Sequence, residues 1–247
     1  MCDKILKNTY FGVLFTKFII FDLEFNSTKI PNQNKNINEI IEIGAVKLDS
    51  DHNIVDKFSC YVKPRYNAGI NPFIRNLTGI STWEVCTASY FEETIAQLEE
   101  WIGYDHATTV YSWSQTDLDQ LKKECAYKQV MLPRNMSDWV DFQAVYSDAM
   151  EFTDEYGQMS LHTAAEQFGI SMDEKASHSA LYDAEITAEL FIPVLTGEYR
   201  YQADLLHNTV LKEVDKSGFT LGDSCGAILR EFLMQMDTET QELAFAR

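Results

Sequence analysis

Residues 16–24, TKFIIFDLE, decide the fold of this chain. Their apolar run is typical of a central strand that is buried on both faces, and it ends in two acidic residues. Because side chains two positions apart on a strand project to the same side of a sheet, Asp22 and Glu24 should lie together. The stretch therefore predicts a core strand with a pair of carboxylates at its end.

The segments that follow predict an α/β fold. After the Asn-rich stretch 26–38, which we interpret as a loop, the runs EIIEIGAVKLDS (39–50) and NIVDKFSCYVKP (53–64) indicate a hairpin beside the first strand. Helical segments are predicted at 92–102, 114–130, 161–170 and 178–195, with a strand at 107–113 and a short strand or extended stretch within 138–146. Strands that come first as a hairpin and then alternate with helices predict an α/β sandwich with a mixed sheet.

Length and composition predict one domain with an appendage. The 247 residues, 45% of them hydrophobic, are enough for a substantial core. We divide the chain into an N-terminal extension, 1–16, a main domain, 17–195, and a helical C-terminal extension, 196–247, through which an oligomer could form. No apolar run reaches the length of a membrane span, and the five cysteines are irregularly spaced, so we expect a cytoplasmic protein with no membrane partner.

The net charge of −18 argues against tight binding to a nucleic-acid duplex, because proteins that do so usually neutralise phosphates with basic residues. Carboxylates that bind divalent cations would supply positive charge locally. The acidic balance is therefore compatible with metal-assisted hydrolysis.

The carboxylate pair on the first strand suggests a metal site. Carboxylates at the end of an apolar strand need a partner when buried, and hard cations such as Mg²⁺ or Mn²⁺ prefer their oxygens. The alternative is that Asp22 and Glu24 sit at a solvent-exposed strand end.

A second acidic segment, SWSQTDLDQL, offers Asp117 and Asp119. At about 100° per residue, the apolar face of this helix is centred about 75° from Asp117 and about 125° from Asp119. Asp117 is therefore the better candidate for a buried site. The spacing from Ser114 also resembles a capping box, so a purely capping role for Asp117 stays open.

The third segment, HSALYDAEITAEL, begins with His178 and contains Asp183. Small residues at 180 and 184 would let this helix approach the sheet and bring Asp183 near the first strand. Histidine is the side chain best suited to accept a proton at neutral pH. The alternative for His178 is a helix cap or surface position, and His162, at the start of another helix, is expected to be structural.

Taken together, the motifs FDLEF, SWSQTDLDQL and HSALYDA resemble the three exonuclease motifs of the DEDDh group of 3′→5′ exonucleases, which have a ribonuclease H-like fold. The resemblance covers about residues 17–195 and implies a three-layer sandwich around a mixed five-stranded sheet. The segments NEIIEIGAVKLD, NLTGIS and MSLHTAAEQFGI are similar to the subgroup of Eri-type and KapD-like RNA exonucleases. Ser114 departs from the glycine that many relatives have after the tryptophan of the second motif.

The resemblance also implies roles for individual residues. It makes Asp22, Glu24, Asp117 and Asp183 the ligands of two divalent ions, Mg²⁺ or Mn²⁺, and His178 the general base.

It further places Phe25, Leu77 and Thr78 around the terminal nucleotide, where an aromatic ring could stack on a base. For Leu77 and Thr78, core packing and turn formation are equally good explanations.

The implied function is hydrolysis of single-stranded RNA or short oligonucleotides from a free 3′ end to nucleoside 5′-monophosphates. RNA is favoured over DNA by the subgroup resemblance alone. Two alternatives stay open: a DNA exonuclease or proofreading-like subunit, and a nucleic-acid-binding or assembly protein that keeps the fold without activity.

Overall fold

A mixed sheet forms the centre of the computed structural model, which describes residues 17–29, 36–67, 69–104, 108–136, 138–150, 159–173 and 176–196. Its strands are β1 (Lys17–Lys29), β2 (Asn36–Leu48), β3 (Ile54–Lys63), β4 (Ser89–Tyr90), β5 (Thr108–Ser112) and β6 (Trp139–Asp141), in the spatial order β4-β3-β2-β1-β5-β6. The β1–β2 and β2–β3 pairs are antiparallel, whereas β1–β5, β5–β6 and β3–β4 are parallel. The long β1 is therefore a central strand, as its apolar sequence predicts.

The helices are α1 (Pro72–Thr78), α2 (Thr82–Thr87), α3 (Phe91–Ile102), α4 (Gln115–Lys128), α5 (Phe142–Ala149), α6 (Leu161–Gln167) and α7 (Ala180–Thr196). Local sequence explains where several of them begin. The Asn71 side chain accepts a hydrogen bond from Phe73 N before α1, with Pro72 at the first helical position. Ser81 and Glu84 form a capping box at α2.

The sheet separates two hydrophobic clusters, and β1 contributes to both. Ile19, Phe21 and Leu23 pack on one side with α3 and α4, whereas Ile20 packs on the other side with α5, α6 and α7. The alternation places Asp22 on the Ile20 side, facing α7. The predicted three-layer α/β sandwich is confirmed. The sheet has six strands where five were expected, because the two-residue β4 pairs with the end of β3.

The interpretation of residues 26–38 as a loop was wrong at both ends of the segment. β1 continues to Lys29 and β2 begins at Asn36, so that Asn26 pairs with Glu39 in the ladder. Asn26 is also buried, and its amide binds the backbone of Gly69 and Asn71 at 3.2 and 2.8 Å. The ladder and these tertiary hydrogen bonds override the turn preference of asparagine.

Two other boundaries differ from the sequence expectation. The short strand expected within 138–146 is Trp139–Asp141, but the rest of the segment is helical: α5 follows at once because Asp141 caps it by accepting a hydrogen bond from Ala144 N at 3.1 Å. The last helix begins at Ala180, two residues after His178.

The predicted N-terminal extension, 1–16, and residues 197–247 of the predicted helical C-terminal extension lie outside the described residues. Their roles, and oligomerisation through 196–247, stay predictions. Within the described part of the chain, no helix has the length and apolar character needed to cross a membrane.

Candidate active site

Asp22 and Glu24 lie half-buried on β1, on the side of the sheet that faces α7. Asp22 is paired with Gly44 of β2, and Glu24 is paired with Glu42. A β-bulge follows directly, between Glu24 and Phe25. Bulges of this kind re-aim side chains and occur often beside active sites, and this one ends the regular alternation of β1 at the second carboxylate.

Asp117 lies in the first turn of α4 and is turned towards β1. The residue is only 7% exposed, and its Oδ1 accepts a hydrogen bond from Leu23 N, between the two acids of β1, at 3.2 Å. Ser114 is the residue that caps α4, through a 3.2 Å hydrogen bond from Thr116 N to its Oγ. Asp119 is exposed. The carboxylate of Asp117 faces the strand through Oδ1, and its Oδ2 accepts a hydrogen bond from the Ser114 hydroxyl at 3.5 Å.

Asp183 and His178 are placed by the start of α7. His178 N donates a hydrogen bond to Asp183 Oδ2 at 3.3 Å, and Asp183 N donates to Ser179 O at 2.9 Å. His178 is exposed and has a φ of 64°, in the left-handed region. This conformation costs a residue other than glycine about 1–2 kcal/mol. The contact with Asp183 holds His178 in this strained position.

Three of these residues place ligand atoms close enough together for a divalent metal. One ligand atom each from Glu24, His178 and Asp183 lie within 4.8 Å of one another. The buried Oδ1 of Asp183 has no hydrogen-bond partner in the described part of the chain, although buried carboxylate oxygens are nearly always bonded. A hard cation would satisfy this oxygen, and oxygen ligands from several carboxylates are those that Mg²⁺ and Mn²⁺ prefer.

Burial raises the pKa of all four carboxylates, and repulsion from neighbouring acids adds to the pKa shifts of Asp22 and Glu24. Burial, followed by the charges of Asp117 and Asp183, raises the pKa of Asp22 well above its ordinary value. Burial is also the main reason why the pKa of Glu24 rises to about 9, that of Asp117 to about 7 and that of Asp183 to about 6. A nearby divalent ion would reverse these shifts, because it favours the charged forms.

The residues expected around the terminal nucleotide have mixed surroundings. Phe25 is half-buried and packs against the core cluster formed with α3 and α4. Leu77, on α1, is 39% exposed. The Thr78 hydroxyl donates to Ile74 O at 2.9 Å and accepts from Ile80 N at 3.1 Å, so it shapes the end of α1. Leu77 is therefore the most exposed of these three residues and the most accessible to a ligand.

Sequence reasoning missed Glu42, a fifth carboxylate of this region. It is 4% exposed on β2, and its Oε2 accepts a hydrogen bond from Ala180 N, at the start of α7, at 3.0 Å. A second Glu inside the mostly apolar run EIIEIGAV, two residues before a glycine, was the available signal. Only the fold shows that α7 begins above it.

Comparison with known proteins identifies the family. The family model described as Exonuclease (RNase_T) matches residues 19–191, most of the chain and all of the cluster described above. The chain belongs to this exonuclease family. The expected membership is confirmed, and the family uses two divalent metal ions, in keeping with the expected cofactors.

Relatives of this exonuclease domain are parts of much longer proteins. This chain is 28% identical over 178 residues to a DNA polymerase III PolC-type protein of Staphylococcus saprophyticus. The aligned region covers 72% of this chain and 11% of the relative. A PolC-type protein of Staphylococcus aureus is 26% identical over 197 residues, covering 80% of this chain and 12% of the relative. The chain thus spans about a tenth of the length of these relatives.

Solved structures share the fold of the exonuclease domain. The nuclease domain of 3′hExo, a DEDDh family member bound to rAMP, superposes with a TM-score of 0.66 at 22% identity, covering 76% of this chain and 95% of that one. The cell-death related nuclease CRN-4 superposes with a TM-score of 0.57 at 19% identity, covering 71% and 62%. These similarities confirm the ribonuclease H-like architecture.

Proposed function

We propose that this protein is a 3′→5′ exonuclease that removes nucleoside 5′-monophosphates from single-stranded nucleic acid with a free 3′ end. The single observation that carries the proposal is the cluster of four carboxylates with His178, drawn from three distant segments of an exonuclease-family domain. A purely binding protein has no need of four carboxylates whose pKa values are raised by burial.

In this proposal Asp22, Glu24, Asp117 and Asp183 hold the divalent ions. When bound, such ions lower the pKa of an attacking water and stabilise negative charge on the phosphate and the leaving oxygen. Asp117 is tied to β1 by its hydrogen bond with Leu23 N, which fixes one carboxylate against the other two on that strand.

His178 acts as the general base in this scheme. It is exposed and lies beside the carboxylates, so its ring can accept a proton from the attacking water and pass it to solvent. The water oxygen bonds to the terminal phosphorus, and the bond from phosphorus to the 3′ oxygen breaks. The 3′ oxygen takes up a proton and stays on the shortened strand. Asp183 orients His178 through its backbone N–H.

RNA and DNA are both candidate substrates. The subgroup resemblance favours RNA, whereas the polymerase relatives favour DNA, as in a proofreading-like activity. Discrimination between them depends on contacts with the 2′-hydroxyl. Initial rates on RNA and DNA strands of identical sequence decide between the two.

The test is shortening of 5′-labelled single strands of RNA and DNA in Mg²⁺ or Mn²⁺ and in EDTA. We expect stepwise shortening from the 3′ end that requires metal and is lost in Asp117→Asn and His178→Ala. Two matched variants control for charge and for loss of an imidazole: Asp119→Asn, an exposed acid on the same helix, and His162→Ala, an exposed histidine at the start of α6. If wild type shortens neither strand, the catalytic proposal fails.

A further inference from the structure

Two residues of β2, a strand that faces the last helix, contact the beginning of that helix. On β2, Glu42 and Gly44 lie two positions apart and therefore on the same side of the sheet, opposite Glu24 and Asp22 of β1. Both contact the first residues of α7, which also carries Asp183. We call Glu42 and Gly44 the α7 socket.

Glu42 provides the hydrogen-bond acceptor for the backbone at the start of α7. The first N–H groups of a helix have no partner within it, and their positive end favours an anion. Glu42 Oε2 accepts from Ala180 N at 3.0 Å, and Glu42 Oε1 accepts from the Ser179 hydroxyl at 3.4 Å. The carboxylate thus binds the two residues that directly follow His178.

Gly44 provides the space for the same contact. A Cβ at this position would lie 2.1 Å from the Ala180 carbonyl carbon and 2.1 Å from Leu181 N, closer than a side chain can approach backbone atoms. Only glycine lets the helix start rest directly on β2. The socket therefore fixes both the height of α7 above the sheet and its position along β2.

The location of Glu42 is otherwise unfavourable. It is directly opposite Glu24 across the β1–β2 pair, and like charges in that position destabilise a sheet. Removing Glu42 would relieve this repulsion, yet it would leave Ala180 N without its acceptor. The hydrogen bonds from Ala180 N and from the Ser179 hydroxyl are the favourable interactions of this carboxylate among the described residues.

We propose that Glu42 is a positioning residue for the active site. By holding the first turn of α7 on β2, it sets where Asp183 and His178 stand relative to the carboxylates of β1. The proposal rests on the proposed exonuclease activity for its kinetic consequence. Its structural consequence, weaker metal binding when the socket is broken, does not depend on that activity.

The experiment compares Glu42→Gln with Glu42→Ala. Gln keeps an oxygen that accepts from Ala180 N, whereas Ala removes it. We expect kcat within about threefold of wild type for Gln and about 10- to 100-fold lower for Ala, since a displacement of about 1 Å can cost that much, with KM for the oligonucleotide nearly unchanged. Mn²⁺ binding, followed by electron paramagnetic resonance, should weaken in Ala and be restored in Gln.

Ser160→Ala is the matched control. Ser160 caps α6 by accepting a hydrogen bond from Thr163 N at 3.1 Å, and this variant therefore also loses a helix-cap hydrogen bond. It should lower the melting temperature without lowering kcat. Equal losses in Glu42→Gln and Glu42→Ala would overturn the proposal, because the charge itself would then be required. Full activity and full Mn²⁺ binding in Glu42→Ala would overturn it too, as would a comparable fall of kcat in Ser160→Ala. If wild type is inactive, the proposed function fails while Mn²⁺ binding still tests the socket.

Discussion

The carboxylate cluster should destabilise the metal-free protein, and Asp183→Asn tests this most directly. Burial raises the pKa of Asp183 to about 6 from an ordinary value of 3.8. The folded protein therefore keeps the proton up to a higher pH than the unfolded chain does. The resulting penalty is absent below the unfolded pKa, accumulates as pH rises towards the folded pKa and is complete above it.

The size of the effect follows from the shift. About two pKa units correspond to about 3 kcal/mol of lost stability above pH 6. Asp183 is only half-buried, and solvent screening brings the expected gain of the Asn variant to about 1–2 kcal/mol at pH 8 and about half of that at pH 5. Asn keeps an oxygen that can accept from His178 N, so the helix start is not disturbed.

The assay is urea unfolding in EDTA at both pH values, repeated with Mg²⁺. Asp183→Asn should exceed wild type in EDTA, and Mg²⁺ should stabilise wild type more than the variant, because a ligand that binds only the folded state stabilises it by mass action. Asp119→Asn, at an exposed carboxylate, should stay within about 0.5 kcal/mol of wild type. A variant no more stable than wild type at pH 8 would refute the reasoning, as would a gap that does not shrink at pH 5.

Three further changes test the packing around the site and the proposed substrate contact. Lys128→Met should lower the free energy of unfolding by about 3–5 kcal/mol in urea titrations. The Lys128 ammonium lies 3.1 Å from Glu39 and 2.6 Å from Glu124, and the variant leaves these two fully buried carboxylates without a countercharge. An unchanged urea midpoint would contradict this. Gly44→Ala should cost at least about 1–3 kcal/mol by forcing α7 off β2, and a wild-type melting temperature would exclude the close approach. Phe25→Ala should weaken oligonucleotide binding by about 1–3 kcal/mol if the ring stacks on a base; an unchanged dissociation constant in fluorescence anisotropy would leave Phe25 a core residue.

Features coded by local periodicity could be predicted from the sequence. The apolar run FIIF predicts the central strand, and the two-residue period of a strand predicts the common side of Asp22 and Glu24. Helical phase separates the buried Asp117 from the exposed Asp119. Each of these inferences needs only the geometry of one element.

Features that depend on contacts between distant segments could not be predicted in this way. Asparagine is a residue type typical of loops, but the Asn26 amide makes hydrogen bonds with the backbone of residues 69 and 71 and stays within the sheet. Glu42 could be recognised as part of the site only once α7 was seen to begin on it. Gly44 has an ordinary strand conformation, so nothing local indicates that another backbone lies against it.

The net charge of −18 leads to a last prediction, on how salt affects substrate binding. Each phosphate that a lysine or arginine neutralises contributes about −0.7 to the slope of log K against log salt for a single strand. If bound cations supply most of the positive charge at the site, binding should be nearly absent in EDTA. With Mg²⁺ present it should have a slope no steeper than about −2. The measurement is anisotropy of a labelled oligonucleotide with His178→Ala, which retains the four carboxylates, over a KCl series. Tight binding in EDTA, or a steep slope with long strands, would show that a basic surface of this acidic chain holds the substrate.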